Sequence, residues 1–148
     1  MKIFVSYAHA DTSTMLELQR VLDAHEVWFD HRLSVGQEWW SEIEEQIAGC
    51  HCFLLLLSPA ALESEYCQQE VDYALRLEKP IAPVMLHPLA IPPKLSKYQV
   101  ISVEGGVDAD AAVRLLNGLF EIERQVFNPW KPRRGDALLA VRPVLSLA

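Results

Sequence analysis

Tyr66 and Glu70 stand four residues apart in a stretch of helical apolar spacing, so a ring and a carboxylate share one side of one helix. Such a pair suits a cation: the carboxylate supplies charge, and the ring supplies stacking and cation–π attraction. More polar side chains collect where short apolar runs end. Ser6, Tyr7, His9 and Asp11 follow the first run, Asp30 and His31 the second, and Ser58 the third. Each residue also has a plainer reading. Surface glutamates are common, Tyr66 can pack on a sheet, and Asp30 can hold its own loop. His9 and His31 are ordinary loop histidines unless an acidic partner orients them, and His25, His51 and His87 have less claim still.

The elements that must position these groups follow from the spacing of apolar residues. Residues 3–7 read as a strand, and Asp11, Thr12 and Ser13 are capping candidates for a helix carrying Met15, Leu18, Val21 and Leu22. Val27, Trp28 and Phe29 form a second strand. A loop through Gly36 leads to a helix with Trp39, Ile43 and Ile47 on one face and Glu42, Glu44 and Glu45 opposite. Trp39 is assigned to the core, and Trp40 to the surface or a partner. The unbroken apolar run 52–57 is a strand covered on both faces, ended by Ser58 and Pro59 before a helix over 61–77. Residues 81–86 make a fourth strand. A proline-rich stretch, a brief strand near 100–103 and a helix over 110–124 complete the series.

Short strands alternating with helices predict a flavodoxin-like three-layer α/β sandwich, with five parallel strands in the order 2-1-3-4-5. Ligands of such sheets bind beyond the carboxyl ends of the strands where the order reverses, here between the first and third. Ser6 closes the first strand toward that crevice, which makes it the better ligand candidate. Receiver domains need acidic pairs after the first strand and an Asp after the third, where this chain has Ser6, Tyr7 and Ser58. Neither a G-x-G-x-x-G nor a P-loop pattern occurs.

Composition narrows the class further. The 148 residues suffice for one domain and an appendage, and 51% hydrophobic with 22% charged residues is a globular balance. Lys131, Arg133, Arg134 and Arg142 against Asp136 give the last stretch +3, which leaves −10 of the total −7 on the body. That body would repel a phosphate backbone, so nucleic acid is not an expected partner. No apolar run approaches the ~20 residues that span a bilayer. With no basic segment and apolar leader at the start, the reading is a cytoplasmic protein without a membrane association. Cys50, Cys52 and Cys67 read as reduced, buried thiols; Cys50, His51 and Cys52 lack a further ligand pair at metal-site spacing.

Several of these segments resemble the Toll/interleukin-1 receptor (TIR) domain family. Phe4-Val5-Ser6-Tyr7 with Asp11 resembles its first box, and Val27-Trp28-Phe29-Asp30 its second. His31, Arg32, Leu33, Ser34, Val35 and Gly36, followed by Trp39, Ile43 and Ile47, are similar to the family's BB loop and the helix behind it. Ser64-Glu65-Tyr66-Cys67-Gln68-Gln69-Glu70 resembles the aromatic-Cys-x-x-Glu segment that places the glutamate of NAD+-cleaving, prokaryotic TIR domains. The resemblance covers residues 1–126, leaving 127–148 as a Pro- and Arg-containing linker or tail that in a longer protein would join another domain. Tyr66 stands where many relatives have Trp, and Ala8 and His9 stand where some carry basic residues.

The resemblance implies an NAD+ glycohydrolase in which Glu70 is catalytic, for which Ser6, Tyr7, His9, Asp30, Trp39 and Tyr66 are the candidates for substrate contact. NAD+ is then the substrate and no separate cofactor or metal is required. Products would be nicotinamide and ADP-ribose or a cyclic isomer, in innate immune or antiphage signalling. It implies self-association through TIR–TIR contacts, with filaments where head-to-tail contacts do not close. The alternative within the family is a non-catalytic scaffold acting by homotypic contact. A nucleoside 2-deoxyribosyltransferase-like enzyme shares fold and glutamate chemistry, but the Gly36 to Trp39 pattern argues against it.

Overall fold

The computed structural model describes residues 1–29 and 37–128. Its strands are β1 (Lys2–Ser6), β2 (Glu26–Phe29), β3 (Cys52–Leu57), β4 (Ile81–Met85) and β5 (Ile101–Ser102). Its helices are α1 (Thr12–Val21), α2 (Gln37–Gly49), α3 (Pro59–Glu63), α4 (Glu65–Arg76) and α5 (Ala109–Val126), with 3₁₀ turns at His9–Asp11 and Pro93–Leu95. All strand pairs are parallel, and the order is β2-β1-β3-β4-β5, as the alternation predicts.

Side chains alternate across the sheet and so build two cores. Ile3, Val5, Leu54, Leu56 and Val84 meet Met15 and Leu18 of α1 and Leu115 and Leu119 of α5. On the other face Phe4, Phe53, Leu55 and Leu57 meet Ile43 and Ile47 of α2 and Val71 and Ala74 of α4. All of β3 is buried, which is why its sequence is apolar without interruption. Among the described residues no helix is long and apolar enough to cross a membrane.

The helix expected over 61–77 is two helices. Ser58 caps α3 by accepting the Ala61 N–H at 3.1 Å, with Pro59 in the first turn. Ser64 is extended, at φ −77° and ψ 117°, and accepts the Cys67 N–H at 3.3 Å to start α4. A serine that satisfies an orphan N–H stabilises a fresh start more than helix interior. Trp39, assigned to the core, and Trp40, assigned to the surface or a partner, are both partly buried against the α2/α4 layer. Pro83 sits within β4 opposite Leu55, and β5 pairs only from Val84 onward.

Beyond β4, the proline-rich connection is fastened to α4. Lys94 Nζ donates to Gln68 at 2.6 Å and to Asp72 at 3.0 Å, while Leu95 is buried beneath. Because both partners of the ion pair are solvent-accessible, Lys94→Met is expected to lower stability by no more than about 1 kcal/mol. Urea unfolding would measure it, and a loss several times larger would mean that the connection holds α4 in place.

Candidate active site

Among the described residues the buried polar side chains are Ser6, Asp11, Ser58 and Glu70, at 0%, 8%, 1% and 0% exposure. Ser6 ends β1, Asp11 opens α1, Ser58 follows β3, and Glu70 lies on α4. They are therefore placed by the elements that flank the reversal between β1 and β3, where a doubly wound sheet binds its ligands.

Ser6 shares the face of Phe4, two residues before it, and so points toward the layer that holds α4. The buried side of α4 consists of Cys67, Glu70, Val71 and Ala74. Glu70 thus occupies a place where a hydrophobe would be more stable, and a carboxylate there is rare without a partner. Ser6 Oγ donates to Glu70 Oε1 at 3.3 Å, long for a hydroxyl bond and correspondingly weak. The plainer reading of Glu70 as a surface glutamate does not hold, since it has no exposed area. The signal was present in Cys67, Val71 and Ala74, whose spacing puts position 70 on their own face.

Asp11 does not cap α1 with its side chain. Its carboxylate instead accepts the Ser58 hydroxyl, while Ser58 Oγ accepts from Ala61 N–H. The head of α1 still favours a negative charge beside it through its unsatisfied N–H groups. Nearby in sequence, Ala8, Ala61 and Cys67 pack together as a small buried cluster.

Trp39 and Tyr66 meet edge to face, with ring centroids 5.4 Å apart and planes at 89°. Tyr66 is 42% exposed and lies one helical turn before Glu70. Tyr7 packs against the opposite layer, with α1 and α5, and is not on the face of Ser6. His9 is exposed in the 3₁₀ turn, where its carbonyl accepts Thr12 Oγ1 at 2.6 Å. Asp30, His31, Arg32, Leu33, Ser34, Val35 and Gly36, and the tail from 129 to 148, lie outside the described residues.

The cysteines are buried, as small apolar residues would be. Desolvation pushes the Cys52 thiol up to about 12 and raises that of Cys50. His51 Nδ1 is occupied by the Lys2 N–H at 2.9 Å. Among the described residues no three His, Cys, Asp or Glu side chains are grouped as a metal ion would require.

A doubly wound α/β module with a sealed carboxylate at its topological switch point is the class that this geometry defines. The chain belongs to the TIR domain family, whose model matches residues 3–116. It is similar to the crystal structure of the TIR domain of the Toll-related receptor TRR-2 from Hydra magnipapillata, at 18% identity and TM-score 0.66, covering 82% of this chain and 97% of that one. It is also similar to the CMP N-glycosidase BcmB of Clostridium botulinum, at 13% identity and TM-score 0.58, covering 81% and 99%. At those identities the likeness shows the fold alone. No curated protein sequence matches the chain.

Proposed function

We propose that this domain is an NAD+ glycohydrolase with Glu70 as its catalytic carboxylate. The observation that carries the reading is a glutamate with no exposed area, in the apolar stripe of α4, joined to Ser6 at the end of β1. Stability is given up at that position, as it is where a charge serves chemistry. The nicotinamide of NAD+ is already cationic. When its bond to ribose C1′ breaks, the electron pair goes to the ring nitrogen and nicotinamide departs neutral, so no acid is needed. Glu70 stabilises the oxocarbenium left behind or bonds to it transiently; water then adds at C1′ and releases a proton, or an adenine nitrogen closes a cyclic product. Ser6 orients the carboxylate, and the Tyr66 ring stacks on the nicotinamide. That the glycosidase among the similar structures also bears an N-glycosidase name supports the bond class. The antiphage or innate immune setting and the cytoplasmic location belong to this reading.

A non-catalytic scaffold is the second reading, and the observation in its favour is the same burial, because a sealed carboxylate meets no substrate in this conformation. Mass spectrometry of concentrated protein incubated with NAD+ separates the two. Nicotinamide with ADP-ribose or a cyclic isomer is expected, and unchanged NAD+ at high protein concentration would leave the scaffold.

The ring contribution is tested separately. Tyr66→Ala should lower kcat/KM roughly tenfold, the size of one aromatic stacking contact, while Tyr66→Phe and Tyr66→Trp stay near wild type. Equal losses in all three would assign the effect to the hydroxyl or to packing on Trp39.

Assembly is part of the proposal. Specific activity should rise with protein concentration in step with light scattering, as head-to-tail contacts between copies form. Constant activity from a strictly monomeric species would exclude it.

A further inference from the structure

The Asp11–Ser58 contact stands one step behind the carboxylate and has no part in the chemistry proposed above. Its two residues are buried, come from the head of α1 and the end of β3, and are joined side chain to side chain. Ser58 carries a double duty: its hydroxyl hydrogen goes to Asp11, and its oxygen receives the Ala61 N–H that begins α3. α3 spans only Pro59–Glu63 and passes through extended Ser64 directly into α4. Glu70 lies six residues past Ser64, so the direction in which α4 sets out determines where the carboxylate arrives.

We infer that Asp11 is a positioning residue for Glu70, acting through Ser58 to set the start of the α3–α4 unit. The inference rests on the NAD+-cleaving role of Glu70. Three observations favour it over a merely structural contact. Asp11 forgoes capping its own helix, the commonest use of an aspartate at that place, to reach Ser58. The hydrogen bond from Ser6 to Glu70 is long at 3.3 Å and so a weak restraint on the carboxylate. The Ser58 oxygen that is tied to Asp11 also accepts the Ala61 N–H that begins α3, so loss of the bond reaches the start of that helix directly.

The consequences differ from those of losing stability. A displacement of order 1 Å in a reacting group lowers turnover by about a hundredfold without changing how ground-state substrate binds. Asp11→Ala, assayed well below its melting temperature with the folded fraction checked by circular dichroism, should lower kcat on NAD+ roughly ten- to hundredfold while KM stays within about threefold. Asp11→Asn keeps an acceptor oxygen for Ser58 and should restore most of kcat. If Asp11→Ala does not fold, Ser58→Gly takes its place, because glycine is tolerated as a helix cap yet has no hydroxyl for Asp11; the same fall in kcat is expected. Wild-type kcat in folded Asp11→Ala or Ser58→Gly protein overturns the inference, as does an Asp11→Asn protein no better than Asp11→Ala. Glu70→Gln run alongside keeps the two failures apart. Activity surviving in Glu70→Gln removes the catalytic reading itself, whereas activity lost there but intact in Asp11→Ala removes the positioning role alone.

Discussion

Glu70→Gln is expected to reduce nicotinamide release by about a thousandfold or more while the domain stays folded. An anion some 4 Å from a developing oxocarbenium contributes on the order of 4 kcal/mol at an effective dielectric near 20, which is about a thousandfold in rate. Gln has nearly the same volume and can still accept from Ser6, so the 3.3 Å contact survives in kind. Because the site is sealed, replacing a buried charge by a neutral group is also expected to leave the melting temperature unchanged or raise it. Activity and melting curves together make the test: a folded variant with wild-type nicotinamide release would end the assignment, and a collapsed one would show that the carboxylate serves the fold.

Phe4→Ala is expected to be the most damaging change to stability. Phe4 is fully buried at the centre of β1, stacked on Trp28 at 5.1 Å and on Phe53 at 5.3 Å. Removing a buried phenyl costs about 3–5 kcal/mol, a large part of the ~5–15 kcal/mol that holds a domain together. The melting temperature should fall by roughly 10 °C or more. Activity at low temperature should fall as well, since Ser6 is only two residues away on the same face. A shift under about 2 °C would mean that the two aromatic neighbours close the space, against the usual incomplete relaxation around a cavity.

Those two positions also illustrate what a linear reading can reach. Strand identity and order follow from runs such as 52–57 and from helices recurring between them, because parallel neighbours leave few topologies open. The break at Ser64 was hidden, since residues 61–77 are compatible with one helix throughout and only the capping contacts reveal two. The short β5 was smeared for a similar reason: its pairing ends with β4, not with any turn residue. At the site, Tyr66 and Glu70 were visible as neighbours because helical spacing is local. Asp11 read as a cap because its partner Ser58 lies 47 residues away, a distance that no periodicity spans. Tyr7 could be ranked with Ser6 only until strand alternation sent the two side chains to opposite layers.

The complete burial of Glu70 has a thermodynamic reach beyond the chemistry. A dinucleotide cannot touch an atom that water cannot, so on the proposed reading every turnover begins with a fluctuation that uncovers α4. The apparent affinity for NAD+ is then the intrinsic affinity scaled by the uncovered fraction; at about 1% uncovered it is weakened about a hundredfold. A neighbouring copy that binds only the uncovered form raises that fraction and does so more steeply as copies accumulate. On that same reading the resting protein is latent, and its switching point is set by how many copies are present rather than by how much substrate surrounds them.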